Sequence, residues 1–268
     1  MSGLQVLVAT MRQTDLSIAE RMNIRCEAVI ANQTDRNELT ECIGEYGRIR
    51  MVSTNTVGVG LNRNIALFAS DSDIILFADD DVVYNDDMPQ NVLKAFSDNP
   101  KADVIIFSMD ITRGGEVTEK RHLKRGRRRL WNSLRFGTYV IAARRSSVMR
   151  NNITFNQFFG GGCIYGAGED SLFIKACFDA GLRVYSHEYV LGRCAKDVSS
   201  WFSGHNEKFF YDKGALMGYL FPRTAALMTL YFSLRFKRST DIPPMKRVRL
   251  MNKGRRGGKN LVPFGQGK

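Results

Sequence analysis

The stretch Ile74-Ile75-Leu76-Phe77-Ala78-Asp79-Asp80-Asp81 decides how this chain is read. Five apolar residues make a strand that can be buried, and three consecutive carboxylates close it. An apolar run that delivers carboxylates to a sheet edge is how an α/β enzyme presents a divalent metal. A hard cation such as Mg²⁺ or Mn²⁺ takes carboxylate oxygens together with the phosphates of a substrate. Three adjacent anions repel one another, and enclosing them without a cation is costly. An acidic triplet also serves as a solvated turn, but Val82-Val83-Tyr84 follows at once, and a solvated turn needs no apolar run on both sides.

Outward from this strand, the first half of the chain alternates strands and helices. Strands are expected at 4–10, 27–31, 49–53, 73–78 and 102–108, and helices at 16–22, 36–46, 60–70 and 88–98. That rhythm predicts a mainly parallel α/β sheet flanked by helices, with ligands bound beyond the carboxyl ends of its strands. The polar, basic stretch 113–129 reads as a loop. A strand near 138–143, a helix from about 170 to 180 stopped by Gly181, and a strand at 183–186 complete this region.

The 268 residues carry a net charge of +12, and its location matters more than its size. Ten Lys/Arg against the single acid Asp241 lie between Lys237 and Lys268, and seven bases fall within residues 120–129. Such patches attract nucleic acid, anionic membrane or pyrophosphate-bearing substrates. The five cysteines show no metal-ligand or paired spacing, and the opening residues lack the basic leader and long apolar run of a signal peptide, so a cytoplasmic location is expected. After Gly214 the chain is apolar to Phe236, interrupted by Pro222 and Arg223. Aromatic residues and flanking bases suit an element lying in a membrane interface, although a pair of core helices reads the same way. The expected organisation is a catalytic domain over 1–214 and an amphipathic helical segment with a basic tail over 215–268, attached to the inner face of an anionic membrane. Its end, 253–268, reads as disordered.

A second carboxylate pair stands in Gly166-Ala167-Gly168-Glu169-Asp170, at the start of a helix and after Phe159-Gly160-Gly161-Gly162. Acids in a first helical turn favour the helix dipole in any protein. The preceding glycines let backbone approach a ligand closely or let a loop move, and a carboxylate there can act as general base toward a hydroxyl. Gly58-Val59-Gly60-Leu61-Asn62-Arg63-Asn64 lacks the complete phosphate-loop patterns. Its Arg63 either pairs with a phosphate or an aspartate, or faces solvent at a helix start.

Taken in order over roughly residues 4 to 190, these segments resemble the family 2 glycosyltransferases of the GT-A fold, of the type that builds bacterial cell-surface polysaccharides. The matching residues are Val6 to Thr10, Ala31-Asn32-Gln33-Thr34-Asp35, Gly60 to Asn64, Leu76 to Asp81, Phe159 to Gly162 and Gly168-Glu169-Asp170. The resemblance implies a GT-A Rossmann-like fold and inverting transfer of a hexosyl or N-acetylhexosaminyl group. The donor it implies is a nucleotide-diphosphate sugar, most often a UDP-sugar, assisted by Mn²⁺ or Mg²⁺. The acceptor is a saccharide or a polyprenyl-diphosphate-linked saccharide. Thr10, Asn32 and Asp35 would line the nucleotide pocket, and Arg63 would sit near the diphosphate. Asp81 is the expected metal ligand and Asp80 the donor contact, with Asp79 open to either role. Asp170, with Glu169 beside it, matches the base. His205 is a candidate third metal ligand, and Trp201 and Phe202 candidate parts of an acceptor-site lid. Ala78 and Asn32 depart from the family pattern, which often has acidic residues there.

Two other classes compete. A sugar nucleotidyltransferase would carry a Gly-rich basic loop directly after the first strand, and Ala9-Thr10-Met11-Arg12-Gln13 has no glycine. A nucleic-acid-binding protein would account for the basic tail but leave both carboxylate clusters without a purpose, which argues against that partner.

Overall fold

The computed structural model describes residues 3–195, 204–236 and 240–266. Near-continuous apolar runs suit strands buried on both faces, and three of them form the middle of the sheet. The chain begins with β1 (Leu4–Met11), a short α1 (Ile18–Arg21), β2 (Glu27–Gln33), β3 (Glu38–Gly44) and β4 (Gly47–Thr54). It continues through α2 (Val59–Ala69), β5 (Ile74–Asp79), β6 (Val82–Tyr84) and α3 (Met88–Asp98). Next come β7 (Val104–Arg113), β8 (Glu116–Arg121), β9 (Gly126–Arg127), β10 (Ile141–Arg144) and α4 (Arg145–Arg150). The last elements are α5 (Glu169–Asp179), β11 (Val184–Ala195), α6 (Glu207–Leu220), α7 (Ala225–Arg235) and α8 (Pro244–Gly258).

Two compact units emerge. One comprises Met1–Val57, Leu61–Phe155 and Phe173–Val198; the other comprises Gly58–Gly60, Asn156–Leu172 and Ser199–Lys268. The first holds a mixed sheet in the order β3-β4-β2-β1-β5-β10-β7-β11-β6, with β8 added on β7 and β9 on β11. Its central strands β4, β2, β1 and β5 are parallel, and β10 enters antiparallel between β5 and β7. Around Phe77, Phe155 and Phe173 the core stacks aromatic rings, with the Phe155 and Phe173 centroids 4.3 Å apart. The expected mainly parallel sheet flanked by helices is therefore present, with antiparallel pairing of β10 in its interior and of β3, β6, β8 and β9 at its margins.

Several local expectations give way. The helix expected at 36–46 is the edge strand β3, antiparallel to β4 through a turn in which Gly47 takes φ +114°. Leu39 and Ile43 stand exposed, so their helical i,i+4 spacing has no core to serve. The basic loop expected at 113–129 instead pairs as β8 on β7 and β9 on β11.

In the second unit, the apolar run after Gly214 breaks at 221–224 into α6 and α7. The end expected to be disordered, 253–268, instead supplies the last part of α8 and then a segment whose Val262 carbonyl accepts the hydroxyls of Tyr165 and Tyr211. Glycine makes this helix pairing possible. A Cβ on Gly214 would collide with the Met251 carbonyl oxygen, and one on Gly254 with that of Tyr211. Gly214 and Gly218 on α6, and Gly254 and Gly258 on α8, repeat at four-residue spacing, the pattern by which two helix backbones approach closely. No helix of the described residues is long and apolar enough to cross a membrane.

Candidate active site

Parallel pairing sets the first half of the site. Ala9 lies opposite Asp79, and Thr10 opposite Asn32, so the carboxyl ends of β5, β1 and β2 come together at one sheet edge. Thr10 Oγ1 donates to Asp80 Oδ2 at 2.6 Å. The Arg63 Nη2 donates to Asp79 Oδ1 at 2.7 Å, with the guanidinium carbon 5.5 Å from the Phe155 ring centroid. Arg63 is thus buried against an aspartate rather than solvent-facing. Asp81 Oδ1 receives the Cys194 thiol at 3.6 Å, and its carbonyl accepts the Ala195 N–H. Each aspartate of the triplet therefore has a different neighbour to fix it.

Two asparagines hold Arg63 in place. Asn62 Nδ2 donates to the Thr10 and Ala31 carbonyls at 3.0 and 2.9 Å, clamping the ends of β1 and β2. Asn64 exchanges two bonds with the Phe155 backbone, at 2.9 and 2.7 Å. The Gly60–Asn64 motif is consequently a brace that aims one arginine at the triplet. Asn32 is fully buried; it accepts from Gln13 N and donates to Gln13 O and Ser53 Oγ, so it pins the loop after β1. Asp35 is exposed in the turn after β2, where it accepts the Thr34 hydroxyl. Below the triplet, Tyr84 is buried with no hydrogen-bond partner for its hydroxyl. Burial, reinforced by Cys26, Asp79, Cys194 and Asp81, pushes its phenol well above the usual value.

Among the described residues no group of three His, Cys, Asp or Glu side chains converges into a ready-made metal cage. The donor chemistry nevertheless fits a hard cation. Mg²⁺-type sites use one or two carboxylates and complete their coordination with substrate phosphates and water.

The second unit carries the other carboxylates. Gly160, Gly162 and Gly168 all take positive φ, and Gly160 N donates to the Tyr165 carbonyl at 2.8 Å, folding 159–165 into a tight loop. Glu169 is buried, its Oε2 accepting the Gly168 N–H at 3.0 Å. Asp170 is half-buried beside it in the first turn of α5. Asp212 of α6 accepts the Gly166 N–H at 2.9 Å and pairs with Lys208, while its Oδ1 is buried without a partner. Burial raises its carboxyl above the ordinary value, against the opposing pull of those bonds. His205 packs edge-to-face against Phe209 and at a tilt against Phe236, at centroid distances of 4.7 and 5.0 Å. Trp201 and Phe202 lie outside the described residues.

A family model described as "Glycosyl transferase family 2" matches residues 8–155, more than half of the chain. The chain belongs to glycosyl transferase family 2. No curated protein sequence matches it. Among solved structures, this family 2 chain is similar to residues 1–349 of S. aureus TarS in complex with UDP-GlcNAc. The identity is 15%, the TM-score 0.61, and the match covers 95% of this chain and 72% of that one. A longer S. aureus TarS structure gives 18% identity and a TM-score of 0.59, over 88% of this chain and 44% of that one. At such identity the likeness is one of fold.

The glycosyltransferase therefore brings Thr10, Arg63 and Asp79 to Asp81 together in its first unit and Glu169 with Asp170 in its second. Sequence reasoning missed the bracing asparagines, although Asn-Arg-Asn inside an apolar helical pattern invites the question of what two buried amides bond. It also missed Asp212, an acid within the apolar half of α6, where an unpaired carboxylate would be costly.

Proposed function

We propose that this transferase moves a sugar from a nucleotide-diphosphate sugar, with inversion and with help from Mn²⁺ or Mg²⁺. The acceptor is a saccharide or a polyprenyl-diphosphate-linked saccharide in cell-surface polysaccharide synthesis. A UDP-sugar is the first donor to test, since a protein of the same fold was solved with UDP-GlcNAc. The observation that carries the reading is the set of three carboxylates at the end of β5, individually held by Arg63, Thr10 and Cys194, in a family 2 chain.

Asp81 and Asp79 are the residues that would hold the cation, with the donor's phosphates completing its shell. When bound, the cation would neutralise charge developing on the leaving diphosphate. Asp80, oriented by Thr10, contacts the donor. Arg63 holds Asp79 in place through their ion pair and lends a further positive charge to the diphosphate. Asn32 acts by fixing the loop after β1, and Asp35 by meeting the nucleoside from its exposed turn. Asp170 takes the proton of the acceptor hydroxyl as that oxygen attacks the anomeric carbon, and the sugar–phosphate bond breaks on the side away from it. Glu169, folded back on Gly168, sets the start of α5 and hence the placement of Asp170. The aromatic cluster around His205 favours packing over metal ligation.

The basic C-terminal region attaches the enzyme peripherally to the inner face of the membrane. Calorimetry against a panel of nucleotides and nucleotide sugars, with and without Mn²⁺, tests the donor site, with Asp81→Ala as control. Metal-dependent binding of one nucleotide diphosphate, lost in the variant, is the expected result. Binding of none of them would overturn the donor assignment.

A further inference from the structure

Helix α7 is inside out. Its inward side is Ala225, Thr229 and Ser233, all buried. Its outward side carries Leu227, Leu230, Tyr231 and Leu234, exposed by 65, 47, 50 and 55%. These four positions follow i, i+3, i+4, i+7 spacing, a continuous apolar stripe about 10 Å long at 1.5 Å per residue. A helix on a water-facing surface places such a stripe against the core and its Thr and Ser outward. Here the inward hydroxyls are satisfied locally instead. Thr229 Oγ1 donates to the Ala226 carbonyl and Ser233 Oγ to that of Leu230, both at 2.7 Å, so the polar side needs no solvent. The neighbouring α6 differs: Ala215, Leu216, Met217 and Leu220 are buried, so that half of the apolar run belongs to the core.

We propose that the outward face of α7 is the part of this enzyme that inserts among the acyl chains of an anionic membrane. The proposal rests on the peripheral attachment put forward above and assigns it to particular residues. Charge selects the occupant. From Gly204 to Lys268 the sequence holds fourteen Lys/Arg against three Asp/Glu. Arg223 precedes the stripe and Arg235 closes it, both exposed, and α8 adds the exposed Arg249, Lys253 and Arg256. Two copies of so basic a region repel one another, whereas an anionic lipid surface attracts it. At eleven residues α7 is too short to span a bilayer and is suited to lying in its interface. The pairing of an apolar stripe with a basic region supplies the two signals that stable peripheral binding requires.

The test uses the full chain in vesicle flotation, with phosphatidylcholine vesicles and with vesicles containing phosphatidylglycerol. The variants are Leu227→Asn/Leu234→Asn and, separately, Arg249→Gln/Lys253→Gln. The wild type is expected to float with anionic vesicles only, and the leucine pair to weaken this at least tenfold while its thermal midpoint holds, because both side chains are exposed. The arginine–lysine pair should weaken binding in a salt-dependent way. Leucine variants that float as the wild type does would overturn the α7 assignment and leave attachment by charge standing. A wild type that ignores anionic vesicles would overturn peripheral attachment itself. A sedimentation-velocity dimer that the leucine variants abolish would make the face an interface between copies instead. Donor-nucleotide calorimetry on the wild type reports separately on the transferase reading.

Discussion

Gly160→Ala probes the link between the glycine loop and the proposed base. Gly160 takes φ +110°, a conformation that costs a residue with a Cβ about 1–3 kcal/mol. The new Cβ would also lie 2.5 Å from Val59 Cγ1 and 2.9 Å from both Cδ and Oε2 of Glu169. Carbon atoms sit comfortably at about 3.5–4.0 Å, so Val59 and the Glu169 carboxylate must both move. Overpacking of this kind costs about 1–3 kcal/mol. The sum is about 4 kcal/mol, or a fall in thermal midpoint of about 10 °C at 2–4 °C per kcal/mol. Gly181→Ala is the control. It sits at φ +75° after α5 with nothing within 4 Å of its Cβ, so it bears the backbone cost alone. Because Glu169 Oε2 accepts the Gly168 N–H at the start of α5, its displacement reaches Asp170. A misplaced general base costs at least about tenfold in kcat. Thr10, Arg63 and the aspartate triplet are untouched, so donor KM should stay near the wild-type value. The assay is release of the nucleoside diphosphate at saturating donor and acceptor, beside thermal unfolding of both variants. A Gly160→Ala enzyme with wild-type kcat and a midpoint no lower than that of Gly181→Ala would refute the reasoning.

Arg63→Lys keeps the charge but loses the planar fork and the stack on Phe155, and should weaken donor-diphosphate affinity by about tenfold in calorimetry; wild-type affinity would remove Arg63 from the donor site. Gly254→Ala gains about 1 kcal/mol of helix propensity, yet its Cβ collides with the Tyr211 carbonyl oxygen. A net loss of about 2 kcal/mol is expected in urea unfolding, and stabilisation would mean that α6 and α8 do not pack this closely. Asp212 gives a pH dependence. Burial raises its folded-state value above the ordinary 3.8, so the folded chain binds that proton more tightly than the unfolded chain. Its stabilising contribution is complete below 3.8 and is lost as pH rises through the folded-state value. Asp212→Asn should therefore flatten the curve of thermal midpoint against pH in the range just above 3.8, and an unchanged curve would place that titration elsewhere.

What the sequence disclosed and what it hid divide along one physical line. Strand β5 and helix α5 were legible because their signals are local: an unbroken apolar run, and a glycine after the last turn. The aspartate triplet and the Glu169-Asp170 pair were legible for the same reason, since charge beside an apolar run needs an explanation wherever it occurs. Strand β3 was hidden because Leu39 and Ile43 mimic a helical face, and only its pairing with β4, a partner beyond a tight turn, decides otherwise. Helix α8 was hidden more deeply. Its glycines and bases read as disorder when each residue is weighed by its own propensity, because every glycine costs a helix about 1 kcal/mol. The same glycines, matched against Gly214 and Gly218 about forty residues earlier, remove the side chains that would keep two helices apart. Composition alone cannot separate these outcomes; the second four-residue repeat of glycine can. The bracing of Arg63 follows the same logic. Asn62 and Asn64 gain their meaning from carbonyls at Thr10, Ala31 and Phe155, each far away in sequence. The charged groups proposed to carry the chemistry stand out in the sequence, but the neutral groups that aim them could be read only once the chain had folded.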